Sequence, residues 1–256
     1  MNLDPDLAEV VVDGVWRLRS IPGANSYLVA LNDDAYTLVD AGTPGAGSAI
    51  TEALRRLEVT PSTLLLTHRH WDHAGGAADL RREFGLRVVL GSGDLEQGRM
   101  REDRKPPRLV RRVMHRASPP PPTVDNALPM DVETEVLPGV LAIPTPGHTF
   151  GSICYLLPDR DLIFVGDVTL NSGDRLSRPL PMANDDTAMQ ERSLSALADR
   201  SPIHGAPGHG DPLLDVFGDW IQKLASMPPA SGGSLLRVLR NPAAALRFAR
   251  RMGQSS

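Results

Sequence analysis

Residues 65–76 read LLTHRHWDHAGG and place three of the chain's seven histidines, together with an aspartate, within six positions. The residues leading into them, STLLLTH, predict a strand that is covered on both faces. His68 and His70 are two positions apart, so in an extended segment they point to the same side. Asp72 and His73 come where a turn or helix begins, and the two closing glycines let another backbone segment pass close by. This crowding of ligand-type side chains at a strand end predicts a metal site.

Three further ligand-type residues follow apolar, strand-like runs in the same way. His148 lies in PTPGHTFGS, Asp167 in FVGDVT and His209 in APGHGDP, each beside glycine or proline. In a layered fold the loops at one end of the sheets converge, so these side chains can meet. Five imidazoles and two carboxylates suit zinc, iron or manganese. Seven ligands exceed what one tetrahedral ion uses, and they fit two ions that share a bridging ligand.

Composition places the chain among ordinary globular proteins, with 41% hydrophobic and 23% charged residues in 256. No apolar run approaches the roughly 20 residues that cross a bilayer, so no membrane contact is expected. The N-terminus lacks the features of a signal peptide, which favours a cytoplasmic location. Cys154 is the single cysteine and lies in an apolar run, where it is expected to be a small core residue.

Charge is distributed unevenly along the chain. The net charge is −4, but residues 95–116 carry eight Lys/Arg against three acids, and residues 229–256 carry five Arg and no acid. The rest of the chain is therefore strongly acidic. Aromatic residues make up only 4% and are not interleaved with the basic runs, so no nucleic-acid partner is expected.

The order of predicted elements favours an α+β fold of two sheets packed face to face with helices outside. Antiparallel strands come first, followed by a helix that Thr43 caps and Pro44 begins. Thr187 and Gln190 form a capping-box pattern at the start of a later helix. Helices are expected at about 74–84, 187–199 and 213–226.

Two segments depart from this pattern. Residues 95–130 combine the first basic run with a stretch of four consecutive prolines, which predicts a surface insertion that stays outside the sheets. We expect it to act as a cationic lid in which Arg111 and Arg112 select an anionic small-molecule substrate. The predicted organisation is a domain at 1–228 that contains this insertion, and a basic helical tail at 229–256.

Four motifs resemble the metallo-β-lactamase-fold hydrolases: THRHWDHAGG, TPGHTFGS, FVGD and PGHG. The first two are most similar to glyoxalase II. The resemblance implies a four-layer αββα sandwich with a dinuclear metal site at one edge of the sheets. It also implies roles for individual residues. The first metal would be held by His68, His70 and His148; the second by Asp72, His73 and His209; Asp167 would bridge both, and Asp40 in LVDAG would support the site from behind.

The chemistry expected from this resemblance is hydrolysis. Two divalent ions, zinc first and iron or manganese otherwise, would hold a bridging hydroxide that attacks a thioester, ester or lactone, with Asp72 orienting the nucleophile. Alternatives are a single-iron persulfide dioxygenase on the same fold, a phosphodiesterase, or a metal-binding protein without catalytic activity. Where zinc β-lactamases of the best-known class have a cysteine, this chain has Asp167, so antibiotic hydrolysis is not expected.

Overall fold

The computed structural model describes residues 3–32, 35–95, 123–173 and 175–229. Its first sheet has seven strands in chain order. They are β1 (Ala8–Val12), β2 (Val15–Leu18), β3 (Tyr27–Asn32), β4 (Ala35–Val39), β5 (Pro61–Leu65), β6 (Arg87–Gly91) and β7 (Asn126–Leu128). The first four strands pair antiparallel, whereas β4 to β7 run parallel. The carboxyl ends of β4, β5 and β6 therefore lie at the same edge of this sheet.

The second sheet has five strands in the order β14-β11-β10-β9-β8. They are β8 (Thr134–Leu137), β9 (Val140–Pro144), β10 (Ile153–Leu157), β11 (Leu162–Gly166) and β14 (His204–Pro207), with a separate hairpin of β12 (Leu170–Asn171) and β13 (Leu176–Ser177). Because β9 and β11 are both antiparallel to β10, and β14 is parallel to β11, the carboxyl ends of these three strands also share one edge.

Three apolar clusters hold the layers together. Between the sheets, Tyr27 of β3 and Phe164 of β11 lie with ring centroids 5.1 Å apart within a core to which both sheets contribute. On the outer face of the first sheet, alternate residues such as Leu28 and Leu64 pack against helices α1 (Ala46–Arg56) and α3 (Ala77–Phe84). The outer face of the second sheet packs against α4 (Thr187–Arg200) and α5 (Phe217–Ser226). Because both faces of each sheet are covered, the central strands do not alternate between apolar and polar residues. The predicted four-layer αββα sandwich is confirmed.

Two helices begin at other residues than the sequence predicts, and a third begins at the expected residue but has a different cap. The Thr43 hydroxyl donates to the Pro22 carbonyl at 3.2 Å instead of capping, and α1 begins after Gly45. In α4 the cap is Asp186, whose carboxylate accepts the Met189 N–H at 2.9 Å. Helix α5 begins at 217 rather than 213, because the backbone of Leu213 is hydrogen-bonded to β14.

The helix predicted at about 74–84 is divided into α2 (Trp71–Ala74) and α3 by two glycines. The N–H groups of Gly75 and Gly76 donate to the carbonyls of Gly42 at 2.9 Å and Ala41 at 3.2 Å, not to a preceding helical turn. A Cβ on Gly75 would lie 2.3 Å from the Pro44 nitrogen, so a larger residue could not be accommodated. The predicted close passage of another backbone segment is therefore confirmed, and it packs the end of β4 against the histidine-rich segment.

Part of the predicted insertion belongs to a sheet. Residues 126–128 form β7 and pair parallel with β6, so the prediction that all of 95–130 stays outside the sheets is wrong. The run of four prolines ends at residue 122, and residues 123–128 again offer the N–H groups that a strand needs. The lid residues Arg111 and Arg112, and the tail beyond Pro229, lie outside the described residues. Within the described part of the chain, no helix has the length and apolarity to span a membrane.

The start of α4 supplies a test of the capping assignment. Asp186→Ala should lower the free energy of unfolding by about 1 kcal/mol, because the Met189 N–H loses its acceptor. Thr187→Ala, at the position the sequence favours as the cap, should change stability by less than about 0.5 kcal/mol. Urea unfolding of both metal-free variants measures the difference, and equal losses would contradict the assignment.

Candidate metal centre

The ends of five strands meet at one edge of the sandwich. From the first sheet, Asp40 follows β4 and the segment 67–73 follows β5; from the second, His148, Asp167 and His209 follow β9, β11 and β14. Ligand-type atoms from these positions fall into three groups of three, within each of which the atoms lie no more than 4.8 Å apart. The first group is His68, His70 and His148, and the second is Asp72, His73 and His209. The remaining group, His68, His73 and Asp167, shares one histidine with each of them. All seven residues predicted as ligands are therefore brought together.

The first group consists of three imidazoles. The Nδ1 atom of His70 lies 3.0 Å from Nε2 of His68 and 2.9 Å from Nε2 of His148. The rings meet edge to face, with interplanar angles from 81° to 89°. Ring nitrogens that converge from three directions on one point form the kind of donor set that binds a transition-metal ion.

Asp167 connects this first group to the second. Its Oδ2 lies 3.5 Å from Nε2 of His148, whereas its Oδ1 lies 3.3 Å from Nε2 of His73 and 3.7 Å from Nε2 of His209. In the second group, Nε2 of His209 lies 3.3 Å from Oδ2 of Asp72. The two oxygens of Asp167 thus face different groups, which is the arrangement a bridging ligand requires.

Asp40 supports the histidine-rich segment from behind. It is buried with a left-handed backbone (φ 59°), and it accepts hydrogen bonds from the N–H and the hydroxyl of Thr67 at 2.8 Å each. Its Oδ2 also lies 2.7 Å from Nδ1 of His73, and the Thr67 hydroxyl in turn lies 3.1 Å from Nδ1 of His68. These contacts engage the outer ring nitrogens and leave both Nε2 atoms directed at the site.

The loop of His148 is held by the segment that leads into α4. Nδ1 of His148 lies 3.0 Å from Oδ1 of Asn184, so this ring also keeps its Nε2 for the site. The N–H groups of Asp185 and Asp186 donate to the carbonyls of His148 at 3.0 Å and Gly147 at 2.9 Å. Gln190 donates from its side chain to the Val168 carbonyl at 2.8 Å, next to Asp167. Helix α4 thereby fixes two of the ligand loops.

The loop of His209 is held by residues from the start of β3. The Asn25 side-chain amide donates to the carbonyls of Pro207 at 3.0 Å and Gly210 at 2.7 Å. The Tyr27 hydroxyl donates to the same Pro207 carbonyl at 2.8 Å. A ligand that follows the second sheet is therefore positioned by polar groups of the first.

Burial and neighbouring charges shift the acid–base equilibria of the cluster. Burial lowers the pKa of His68 well below its ordinary value, and burial together with His148 lowers the pKa of His70 to about 3. For His73 burial opposes protonation, but Asp40 and Asp167 raise its pKa well above the ordinary value. Burial would raise the pKa of Asp167, yet the charges of His209 and His73 hold it below its usual range. His68 and His70 are therefore neutral imidazoles at neutral pH, whereas His73 is a histidine whose positive charge is favoured by the carboxylates beside it.

The donor set fits divalent cations. Nε2 of His73 and Oδ1 of Asp167 are buried and have no hydrogen-bond partner among the described residues, although buried polar atoms are nearly always satisfied. The two atoms lie 3.3 Å apart within the ligand-type cluster, where a cation bound by both would satisfy them. Nitrogen and carboxylate ligands of this kind suit zinc, iron or manganese.

The structure adds three residues that the sequence does not single out. Arg69 lies between two ligands in the chain, and its guanidinium contacts Asp94 at 2.8 Å and Asp185 at 3.0 Å. Asp94 follows β6 at the same edge as the predicted ligands. It could therefore have been found as another polar residue that comes directly after an apolar strand. Asp185 precedes a helix and carries no such signal. His204 lies only five residues before His209, but the sequence favours it as a residue without a metal role. It accepts the Asp215 N–H at 3.0 Å and lies outside the three ligand groups formed by the described residues.

An αββα sandwich with histidines and aspartates clustered at one edge defines a class of metal-dependent hydrolases. The sequence pattern of the Metallo-beta-lactamase superfamily matches residues 21–230. The chain belongs to this superfamily and is a metallo-hydrolase.

Several curated relatives carry hydrolase or thioesterase names. A probable metallo-hydrolase of Bacillus subtilis (strain 168), YflN, is 27% identical over 220 residues, which are 80% of this chain and 77% of that protein. A hydroxyacylglutathione hydrolase of Xanthomonas campestris pv. campestris (strain B100) is 31% identical over 163 residues, 62% of this chain and 50% of that protein. A thioesterase of Emericella nidulans, pkgB, is 28% identical over 198 residues, 77% of this chain and 48% of that protein. This chain therefore spans about half the length of each of the last two proteins.

Solved structures share the fold. A metallo-beta-lactamase family protein of Thermus thermophilus, TTHA1429, superimposes with a TM-score of 0.65 and 25% identity, covering 85% of this chain and 80% of that one. TTHA1623, crystallised in a di-iron-bound form, superimposes with a TM-score of 0.57 and 25% identity, covering 75% of this chain and 89% of that one.

The ligand groups can be tested by removing one histidine from each. His70→Ala and His209→Ala should each weaken metal binding at least about tenfold, because each deletes a donor from a different group. His204→Ala is the matched control and should bind metal as the unmodified protein does. Metal content after dialysis, measured by plasma emission spectroscopy, checks both. Full retention of metal in the two site variants would contradict the assignment.

Proposed function

We propose that the chain hydrolyses a thioester, ester or lactone in a small molecule, with two divalent cations at the strand-end cluster. The observation that carries the proposal is the position of Asp167, whose two carboxylate oxygens face different ligand groups. His68, His70 and His148 would hold one cation, and Asp72, His73 and His209 the other. When bound, such a pair supplies a hydroxide nucleophile at neutral pH and polarises the carbonyl that it attacks.

The chain's own side chains supply the positioning. The outer contacts of His68, His73 and His148 hold three imidazoles with Nε2 directed at the site, so the donors need not reorganise when they bind. Asp72 is the one carboxylate within the histidine-rich segment. One of its oxygens faces His209, and a carboxylate placed here can also accept a hydrogen bond from the water that attacks the substrate. We assign Asp72 a catalytic role beyond that of a ligand.

The named relatives support a carbonyl substrate. Both the thioesterase and the hydroxyacylglutathione hydrolase share the fold region with this chain at about 30% identity. The di-iron-bound form of TTHA1623 supports the proposal that this fold can hold two metal ions. We propose zinc as the resident metal, with iron or manganese compatible with the same donors. An anionic substrate is proposed from the basic run at 95–116.

The decisive experiment combines metal quantification with a substrate panel. Protein purified without chelator should contain about two divalent ions per chain, and it should hydrolyse at least one class among thioesters, esters and lactones. Removal of the metal with chelator should abolish turnover, and added zinc should restore it. One iron per chain with oxygen uptake on a persulfide would replace this proposal by the dioxygenase alternative.

Asp72→Asn tests the catalytic role separately from affinity. The amide keeps the size of the side chain but is a weaker acceptor, so kcat should fall at least about tenfold in fully metal-loaded enzyme, a barrier increase of about 1.4 kcal/mol. Metal content must be measured in the same samples, so that loss of metal is not mistaken for loss of catalysis. An unchanged kcat at full loading would reduce Asp72 to an ordinary ligand.

A further inference from the structure

Arg69 stands between two proposed ligands in sequence, and its side chain is held by two carboxylates. Its guanidinium donates to Asp94 at 2.8 Å and to Asp185 at 3.0 Å, and only 23% of its side chain is exposed. The side chain of Asp94 is fully buried, and that of Asp185 is 13% exposed. A largely buried arginine between two largely buried carboxylates requires that the charges be paired and hydrogen-bonded, as they are here.

The same two carboxylates accept hydrogen bonds from the loop that carries His148. Asp94 accepts the Thr149 hydroxyl and the Gly151 N–H, each at 2.9 Å. Asp185 accepts the Phe150 N–H at 3.1 Å, and its own N–H donates to the His148 carbonyl at 3.0 Å. Asp94 also accepts the backbone N–H of Arg69 at 2.8 Å, which fixes the chain between the two neighbouring ligands.

These contacts join three separate parts of the fold. Arg69 follows β5 of the first sheet, the 147–151 loop follows β9 of the second, and Asp185 leads into α4. The first ligand group draws His68 and His70 from one sheet and His148 from the other, so its geometry depends on how the two loops are held together. The three residues that join the loops stand outside the ligand groups that the described residues form.

We propose that Arg69, Asp94 and Asp185 form a positioning clamp that preassembles the first ligand group and sets its metal affinity. The inference rests on the metal centre of the proposed function, but not on the substrate or the reaction. The clamp acts on the first group more than on the second, because it holds the His148 loop and the backbone between His68 and His70. The loop of His209 in the second group is held by Asn25 and Tyr27, and Asp40 supports both groups.

Cobalt(II) titration of the metal-free protein, followed by visible absorption, tests the clamp. The unmodified protein should bind two ions. Arg69→Ala should weaken one of them about 10- to 100-fold, with a changed spectrum for that ion, and leave the other unaltered. Arg69→Lys should recover part of the affinity, since an ammonium can pair with one carboxylate but not span both. Asp185→Asn should weaken the same ion, and its effect should not add fully to that of Arg69→Ala, because both act through one network.

Arg178→Ala is the matched control. Arg178 forms a similarly buried ion pair with Glu191 at 2.9 Å, with 15% of its side chain exposed, and it also donates to the Met227 carbonyl at 2.8 Å. Because the side-chain contacts of Arg178 in the described part of the chain are with Glu191 and Met227 and none is with a ligand loop, the variant should bind both ions normally. Thermal unfolding of each metal-free variant separates lost affinity from lost fold; if Arg69→Ala does not fold, Asp185→Asn against Arg178→Ala carries the same comparison.

Three results would overturn the clamp, and they are distinguishable. Two cobalt ions bound by Arg69→Ala with unaltered affinity and spectrum would remove the clamp and leave the metal centre standing. Equal losses in Arg69→Ala and Arg178→Ala would show a general structural effect. An unmodified protein that binds no cobalt would overturn the metal centre and the clamp together.

Discussion

The carboxylate of Asp40 is buried at the end of β4, where it accepts hydrogen bonds from both the N–H and the hydroxyl of Thr67 and faces Nδ1 of His73. Burying a carboxylate without partners is very unfavourable, so these contacts fix where the neighbouring segment can lie. Its left-handed backbone (φ 59°) is a strained conformation for a residue other than glycine, and the surrounding hydrogen bonds hold it. Through Thr67 and His73, this one side chain orients donors of both ligand groups.

The opposite sheet is brought to Asp40 through Thr67. Gly166 has a positive φ of 48°, and a Cβ there would lie 2.7 Å from the Thr67 hydroxyl. Only glycine lets β11 approach this closely, and the next residue, Asp167, can then reach between the groups. The site is therefore built where two sheets meet. Tyr27 of the first sheet donates to the Pro207 carbonyl before His209, and Tyr155 of the second sheet donates to the Leu66 carbonyl before His68. This mutual support explains why the donors converge although they come from four separate loops.

The ligand arrangement defines a reaction class more narrowly than it defines a substrate. Converging imidazoles and a carboxylate between two groups are suited to activating water and a carbonyl, whichever acyl group is attached. Under the proposed function, the acyl group would be chosen by residues in the loops around the cluster, because one fold can carry different functions at sites built on it. The similar proteins show the same variety, because a thioesterase and a hydroxyacylglutathione hydrolase are both related in sequence to this chain.

The sequence alone determined the layered fold and the set of ligand-type residues. Strands that are covered on both faces appear in the sequence as apolar runs. His68, His70, Asp72 and His73 follow one such run at spacings that suit a single cluster of ligand-type side chains. Those patterns are local, so they can be read without the fold. Helix starts are predicted less well. Short-range rules favour Thr43 and Thr187 as caps, whereas contacts with the Pro22 carbonyl and between Asp186 and the Met189 N–H decide otherwise.

Only the tertiary structure decided how the ligands are divided and held. Which oxygen of Asp167 faces which histidine depends on the approach of β11 to Thr67, and the partnership of Arg69 with Asp94 and Asp185 joins residues up to 116 positions apart. Such contacts leave no periodicity in the chain, because they arise from the packing of one sheet on the other.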